Sequence, residues 1–178
     1  MFSNAIQAAL EREIVGQPQA LNAVVRGVTR VTSGLTPHER PLAAYLLMGP
    51  TGVGKSQTAR AVARFLHGDD RQLVVADCNW GMHGDPWMSF ATQLAPLFTQ
   101  STPNGDGIEC PPLSVILVEG LESGPPELCK TLSRVLESTQ IMLPQGRHGL
   151  LRNCIVFLTS RMCSREILDE ASPIGFTS

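Results

Sequence analysis

Residues 43–56 read AAYLLMGPTGVGKS, a short apolar run that passes directly into a glycine-rich loop ending in lysine and serine. The run has the length and composition of a strand buried on both faces. Gly49, Gly54, Lys55 and Ser56 satisfy the spacing G-x-x-x-x-G-K-[ST], with Pro50, Thr51, Gly52 and Val53 between them. Glycines there let consecutive N–H groups turn inward on phosphate oxygens, and a helix starting at Lys55 adds its positive end. Lys55 would then reach the β- and γ-phosphates, and the Ser56 hydroxyl would ligate magnesium. A strand before the loop and a helix from Lys55 to about Leu66 after it are the context that separates a phosphate site from an ordinary glycine turn.

Working outward, residues 3–13 carry Ile6, Ala9 and Leu10 on one helical face. Pro18 suits the first turn of a second helix reaching about Thr32, with Leu21, Val24, Val25 and Val28 at helical spacing. LVVAD (73–77), SVILVE (114–119) and NCIVFLTS (153–160) read as further strands. PPELCKTLSRVLES (125–138) reads as a helix, and SREILDEAS (164–172) as a last one. Residues 78–112 hold both tryptophans and an N-G-D-G turn signal, with a helix expected from Trp87 to Phe98. Strands alternating with helices predict a P-loop NTPase fold: a three-layer α/β/α sandwich on a mainly parallel sheet.

Composition narrows the function classes. At 178 residues, 43% apolar and 17% charged, the chain fits one domain with a real core. A net charge of −2 gives no electrostatic case for nucleic acid or a membrane surface. No apolar stretch approaches the roughly twenty residues of a membrane span, and MFSNAIQAALEREI lacks a signal peptide's basic start and apolar core. A cytoplasmic location is expected. Cys78, Cys110, Cys129, Cys154 and Cys163 are scattered and read as reduced core cysteines. His38, His67, His83 and His148 lack partners at ligand spacing and read as surface or turn residues.

IVGQPQALNAVVRGVTRVTSGL, then RPLAAYLLMGPTGVGKSQTARAVARFL, then LSRVLESTQIMLPQGRHGLLRNCIVFLTSR (132–161) together resemble the Clp family of AAA+ unfoldases, specifically their second ATPase module. The resemblance covers about residues 11–80 and 113–176. It implies an AAA+ large subdomain over 1–178, with 1–13 an N-terminal helical extension and the small helical lid absent. It also implies ATP or ADP with Mg²⁺ as ligands, an adenine pocket at Ile14, Val15, Gly16 and Gln17, an oligomer of like or unlike subunits, and protein clients. The turn around Arg147 and Arg152 is structural in that family.

The departures bear on activity. The family ends its third strand in Asp-Glu, one carboxylate for magnesium and one for water. Aligned without a gap, Glu119 takes the magnesium position and Gly120 the catalytic one; a one-residue deletion would instead make Glu119 the base. Either way one carboxylate is missing, and glycine cannot polarise a water. Glu122 is a candidate substitute, though three residues into a turn it reads as solvated. Where the family has Thr-Ser-Asn, this chain has Thr159-Ser160-Arg161, and Arg161 either pairs with the γ-phosphate or stands exposed. Residues 78–112 lack the family's aromatic pore loop; Trp80 and Trp87 read as core, with polypeptide contact the alternative. ASPIGFTS (171–178) resembles the segment before the family's arginine finger, so the first strand is expected at a sheet edge.

The expected function is an ATP-binding module with impaired hydrolysis, serving as a nucleotide-dependent assembly or chaperone-related subunit. The alternatives are an active Clp-type ATPase, with Glu119 and Glu122 catalytic, and a small P-loop kinase.

Overall fold

The computed structural model describes residues 2–14, 18–33, 40–79, 84–99, 101 and 107–162. In chain order the elements are α1 (Phe2–Glu13), α2 (Pro18–Thr32), β1 (Ala43–Met48), α3 (Lys55–His67), β2 (Leu73–Asp77), α4 (Pro86–Leu94), β3 (Ile108–Glu109), β4 (Ser114–Glu119), α5 (Pro126–Ser138), β5 (Gln140–Met142), β6 (His148–Leu150) and β7 (Cys154–Ser160). A 3-10 turn at Ala95–Phe98 continues α4, so the helix expected over 87–98 is real but changes winding partway. The helix expected at 164–172 lies outside the described residues.

β1, β7, β4 and β2 form one parallel sheet in that order. Successive residues of a strand point to opposite faces, and both faces here are covered. Val115, Leu117, Ile155 and Phe157 pack with α1, α2 and α3 residues such as Ile6, Leu10, Val24 and Val62. Ile116, Val118, Val156 and Leu158 pack against Phe90, Leu94, Leu128 and Leu132 of α4 and α5. The result is the three-layer P-loop NTPase sandwich. α1 is fastened to α3 by Glu13, which accepts from Gln57 Nε2 at 2.8 Å and pairs with Arg64. Among the described residues β1 is an edge strand, as expected, with Leu46 53% and Met48 48% exposed.

Trp87 packs on the core formed with α4 and α5, tilted on Phe90 at 5.7 Å, and donates from Nε1 to the Met142 carbonyl at 3.2 Å. Trp80 lies outside the described residues. Cys78 and Cys154 are buried, and burial pushes both thiols up, Cys78 to about 12, as inert core cysteines require.

A second, small sheet was not expected from the sequence. β3 pairs parallel with β6, and β5 pairs antiparallel with β6. The glycine-containing turn read around Arg147 is the link between β5 and β6. A Cβ at Gly149 would lie 2.5 Å from Cε1 of Phe98, which is fully buried, and 3.1 Å from Ile141 Cγ2. Gly149→Ala is therefore expected to destabilise the fold by about 1–3 kcal/mol, read as a lower urea midpoint.

Glu109, 10% exposed, accepts from Arg147 Nε at 2.7 Å and from Ser101 Oγ at 2.9 Å. The Arg147 hydrogen bond lowers its carboxyl below the ordinary range against the opposing effect of burial. A depressed folded value means this carboxylate stabilises the fold above its unfolded value of about 4.3, and the contribution is lost as pH falls through the folded value. Arg147 is 40% exposed, so solvent screens the pair. Glu109→Gln is expected to lower stability by about 1 kcal/mol at neutral pH and to converge on the wild type in acid, measured by urea unfolding at several pH values.

Candidate nucleotide site

The carboxyl ends of β1, β7, β4 and β2 open on a cavity of about 540 Å³. The loop from Gly49 to Gly54 joins β1 to α3 at its rim. Gly52 and Gly54 take φ of 86° and 94°, the left-handed region that glycine enters freely. Gly54 caps α3 without any side-chain hydrogen bond, which leaves the helix's first N–H groups without a capping side chain, facing the loop. Thr51, Gly52, Gly54, Lys55 and Ser56 all line the cavity. Lys55 Nζ donates to the Gly49 and Pro50 carbonyls, each at 2.7 Å. Its ammonium is lowered by burial, opposed by Glu122 and reinforced by Arg161.

The Ser56 hydroxyl donates to Glu119 Oε1 across the cavity floor. In the ungapped reading Glu119 is the residue for magnesium, and position 120 carries no carboxylate. A hydroxyl and a carboxylate oxygen brought together are the hard donors Mg²⁺ takes, so the residues present fit the ion.

Val53 lies on the other side of the loop, in an apolar cavity of about 290 Å³ with Leu21, Leu46 and Leu47. Ile14 is buried against that side: a Cβ on Gly54 would sit 3.6 Å from its Cγ2. Val15, Gly16 and Gln17, the rest of the expected base pocket, lie outside the described residues.

Glu122 departs from expectation. It is not a solvated turn residue: the 3-10 turn at Leu121–Ser123 carries it into the cavity, where it is 19% exposed. Arg161 Nε donates to Glu122 Oε1 at 2.7 Å, and the Arg161 backbone N–H donates to Oε2 at 3.1 Å. Burial would raise this carboxyl. Hydrogen bonds from the Arg161 side chain, the backbone and Ser160 outweigh it and hold the group at about 2. Arg161, 62% exposed, does not stand alone at the surface: its side chain is engaged by Glu122.

Asp77, Asn79, Ser123 and Thr159 also line the cavity and were not picked out from sequence. Asp77 had a readable signal: it is an acid at the end of a strand, and its partner across the ladder is Glu119. Its backbone is clamped by Gln93, which accepts from Asp77 N–H and donates to its carbonyl.

Comparison with known proteins agrees with this fold. The family model described as AAA domain (Cdc48 subfamily) matches residues 40–174. The chaperone protein ClpB of Wolinella succinogenes is 31% identical over 168 residues, 93% of this chain and 20% of that protein. ClpB 2 of Thermosynechococcus vestitus is 33% identical over 169 residues, 94% of this chain and 19% of that protein. The ClpC ATP-binding subunit of the Clp protease from Staphylococcus aureus is 29% identical over 169 residues, 93% of this chain and 20% of its own length. A solved structure, the S. cerevisiae Hsp104–ADP complex, superposes with a TM-score of 0.79 at 25% identity, over 97% of this chain and 30% of that one. The chain thus spans about a fifth of the length of these curated relatives.

Proposed function

This chain belongs to the AAA domain family (Cdc48 subfamily) as a Clp-type AAA+ domain, and from that premise we propose that it binds Mg-ATP or Mg-ADP while hydrolysing ATP slowly or not at all. The observation that carries the reading is the pairing of Ser56 with Glu119 beside a glycine at position 120. The first half supplies a magnesium and phosphate cradle; the second leaves the attacking water without the carboxylate that should polarise it. When bound, magnesium supplies charge neutralisation at the β- and γ-phosphates. Lys55 and the α3 N-terminus hold those phosphates, and Ser56 and Glu119 hold the ion. The apolar cavity beside Val53 and Leu21 takes the base, and Ile14, Val15, Gly16 and Gln17 are the base-binding residues that the family resemblance implies. Pro50, Thr51, Gly52 and Gly54 shape the loop around the phosphates.

A second reading, an active ATPase with Glu122 as base, is favoured by that residue's place in the cavity. The hydrogen bonds it already accepts argue against it, because a carboxylate held at about 2 takes up a proton poorly. As a protein that holds nucleotide without consuming it, the chain would serve as a nucleotide-dependent assembly or chaperone-related subunit in the cytoplasm, among like or unlike AAA+ subunits. Phosphate release under saturating Mg-ATP tests the proposal. The expected turnover is far below about 1 s⁻¹, and a rate at or above that value contradicts it.

A further inference from the structure

Arg161 follows β7 directly. The Met48–Ser160 pairing, with the Gly49 N–H donating to the Ser160 carbonyl at 3.3 Å, sets it beside the first residue of the phosphate loop. Glu122 comes from the turn after β4, the neighbouring strand in the sheet. The carboxylate is therefore held by an Arg161 side-chain donor at 2.7 Å and a backbone donor at 3.1 Å, inside a cavity otherwise built to take phosphate.

From this geometry we infer that Glu122 occupies Arg161 as an internal stand-in for a terminal phosphate, so that the pair discriminates nucleoside triphosphate from diphosphate. The inference rests on the nucleotide-binding reading above. Its physics is competition for one guanidinium. A γ-phosphate brings more negative charge and more acceptor oxygens than a carboxylate, and it suits the same planar fork. Arg161 is 62% exposed, so water screens its side-chain bond to Glu122 and can replace it when the guanidinium turns away, while the backbone donor stays with the carboxylate. A triphosphate draws Arg161 away from Glu122. A diphosphate ends one phosphate short and leaves the pair intact. Lys55, Glu122 and Arg161 line the same cavity, so the pair shares it with the group that holds the β- and γ-phosphates. Glu122 opposes triphosphate binding twice, by occupying the arginine and by repelling the phosphate once the arginine has left.

Calorimetric titration of Mg-AMPPNP and Mg-ADP into the full chain tests this with Glu122→Gln and Arg161→Ala. Glu122→Gln is expected to bind AMPPNP about fivefold more tightly, with ADP unchanged within about twofold. Arg161→Ala is expected to weaken AMPPNP by about tenfold, again with ADP little changed. The ADP titration doubles as a folding control in the same samples. Parallel shifts of the two nucleotides in either variant, or no shift in either, overturn the discriminator while leaving the nucleotide reading intact. So does weaker AMPPNP binding in Glu122→Gln, which would make Glu122 a group that helps hold the ligand. If the wild type binds neither nucleotide, the nucleotide reading fails and the discriminator fails with it.

Discussion

Gly120→Glu is expected to raise the rate of ATP hydrolysis by about 10²- to 10⁴-fold, the range a positioned general base supplies. Gly120 directly follows β4, one residue past the carboxylate that Ser56 contacts. Its backbone has φ 70°, so any side chain there is strained by roughly 1–2 kcal/mol. Space is not the obstacle: a Cβ at this position would find Asp77 Oδ1 at 3.7 Å and Ser123 Oγ at 3.8 Å, ordinary contact distances. The variant should therefore fold with somewhat lower stability and place its carboxylate in the cavity, beside Asp77. Phosphate release at saturating Mg-ATP reads the gain. An unchanged rate with unchanged nucleotide affinity would mean that the missing carboxylate is not what limits turnover.

Lys55→Ala is expected to weaken Mg-ATP binding by about 10²-fold or more. Charge-assisted hydrogen bonds to phosphate contribute about 1.5–3 kcal/mol each, and the ammonium would make at least one to the β- and one to the γ-phosphate. The same side chain also spans the loop, donating to the Gly49 and Pro50 carbonyls. Its removal loosens the cradle as well as discharging it. The fold should survive, because Lys55 belongs to neither hydrophobic core, and an unchanged circular dichroism spectrum would confirm that. Retention of wild-type affinity in this variant would remove the phosphate loop from the site.

Much of this arrangement is written locally in the chain. The strand–loop–helix around residues 43–67 combines an apolar run, a glycine spacing and a helical periodicity, each strong over a short window. The two faces of β4 and β7 follow from the unbroken apolar stretches VILV and CIVFL within them, which a doubly covered sheet buries. The small sheet was illegible for the opposite reason. β3, β5 and β6 are two or three residues long and include Gln140, His148 and Gly149, too short for a period and unlike strand composition. They exist because Gly149 lets Phe98 close over them and Glu109 finds Arg147, contacts 51 and 38 residues apart in the chain. Glu122 was misread on the same ground. Its local setting, GLESG, is that of a solvated turn, and its true environment is set by Arg161, 39 residues later. Pairings of that range leave no trace in a window of neighbours.

One titration decides the central claim, that the chain holds the nucleotide and does not turn it over. Mg-ATP is injected calorimetrically into the purified protein. The expected result is a set of saturating heats that each return to the starting baseline. A sustained power offset growing with each injection would mean continuous hydrolysis, and a carboxylate other than one at position 120 would have to be doing the work of the base.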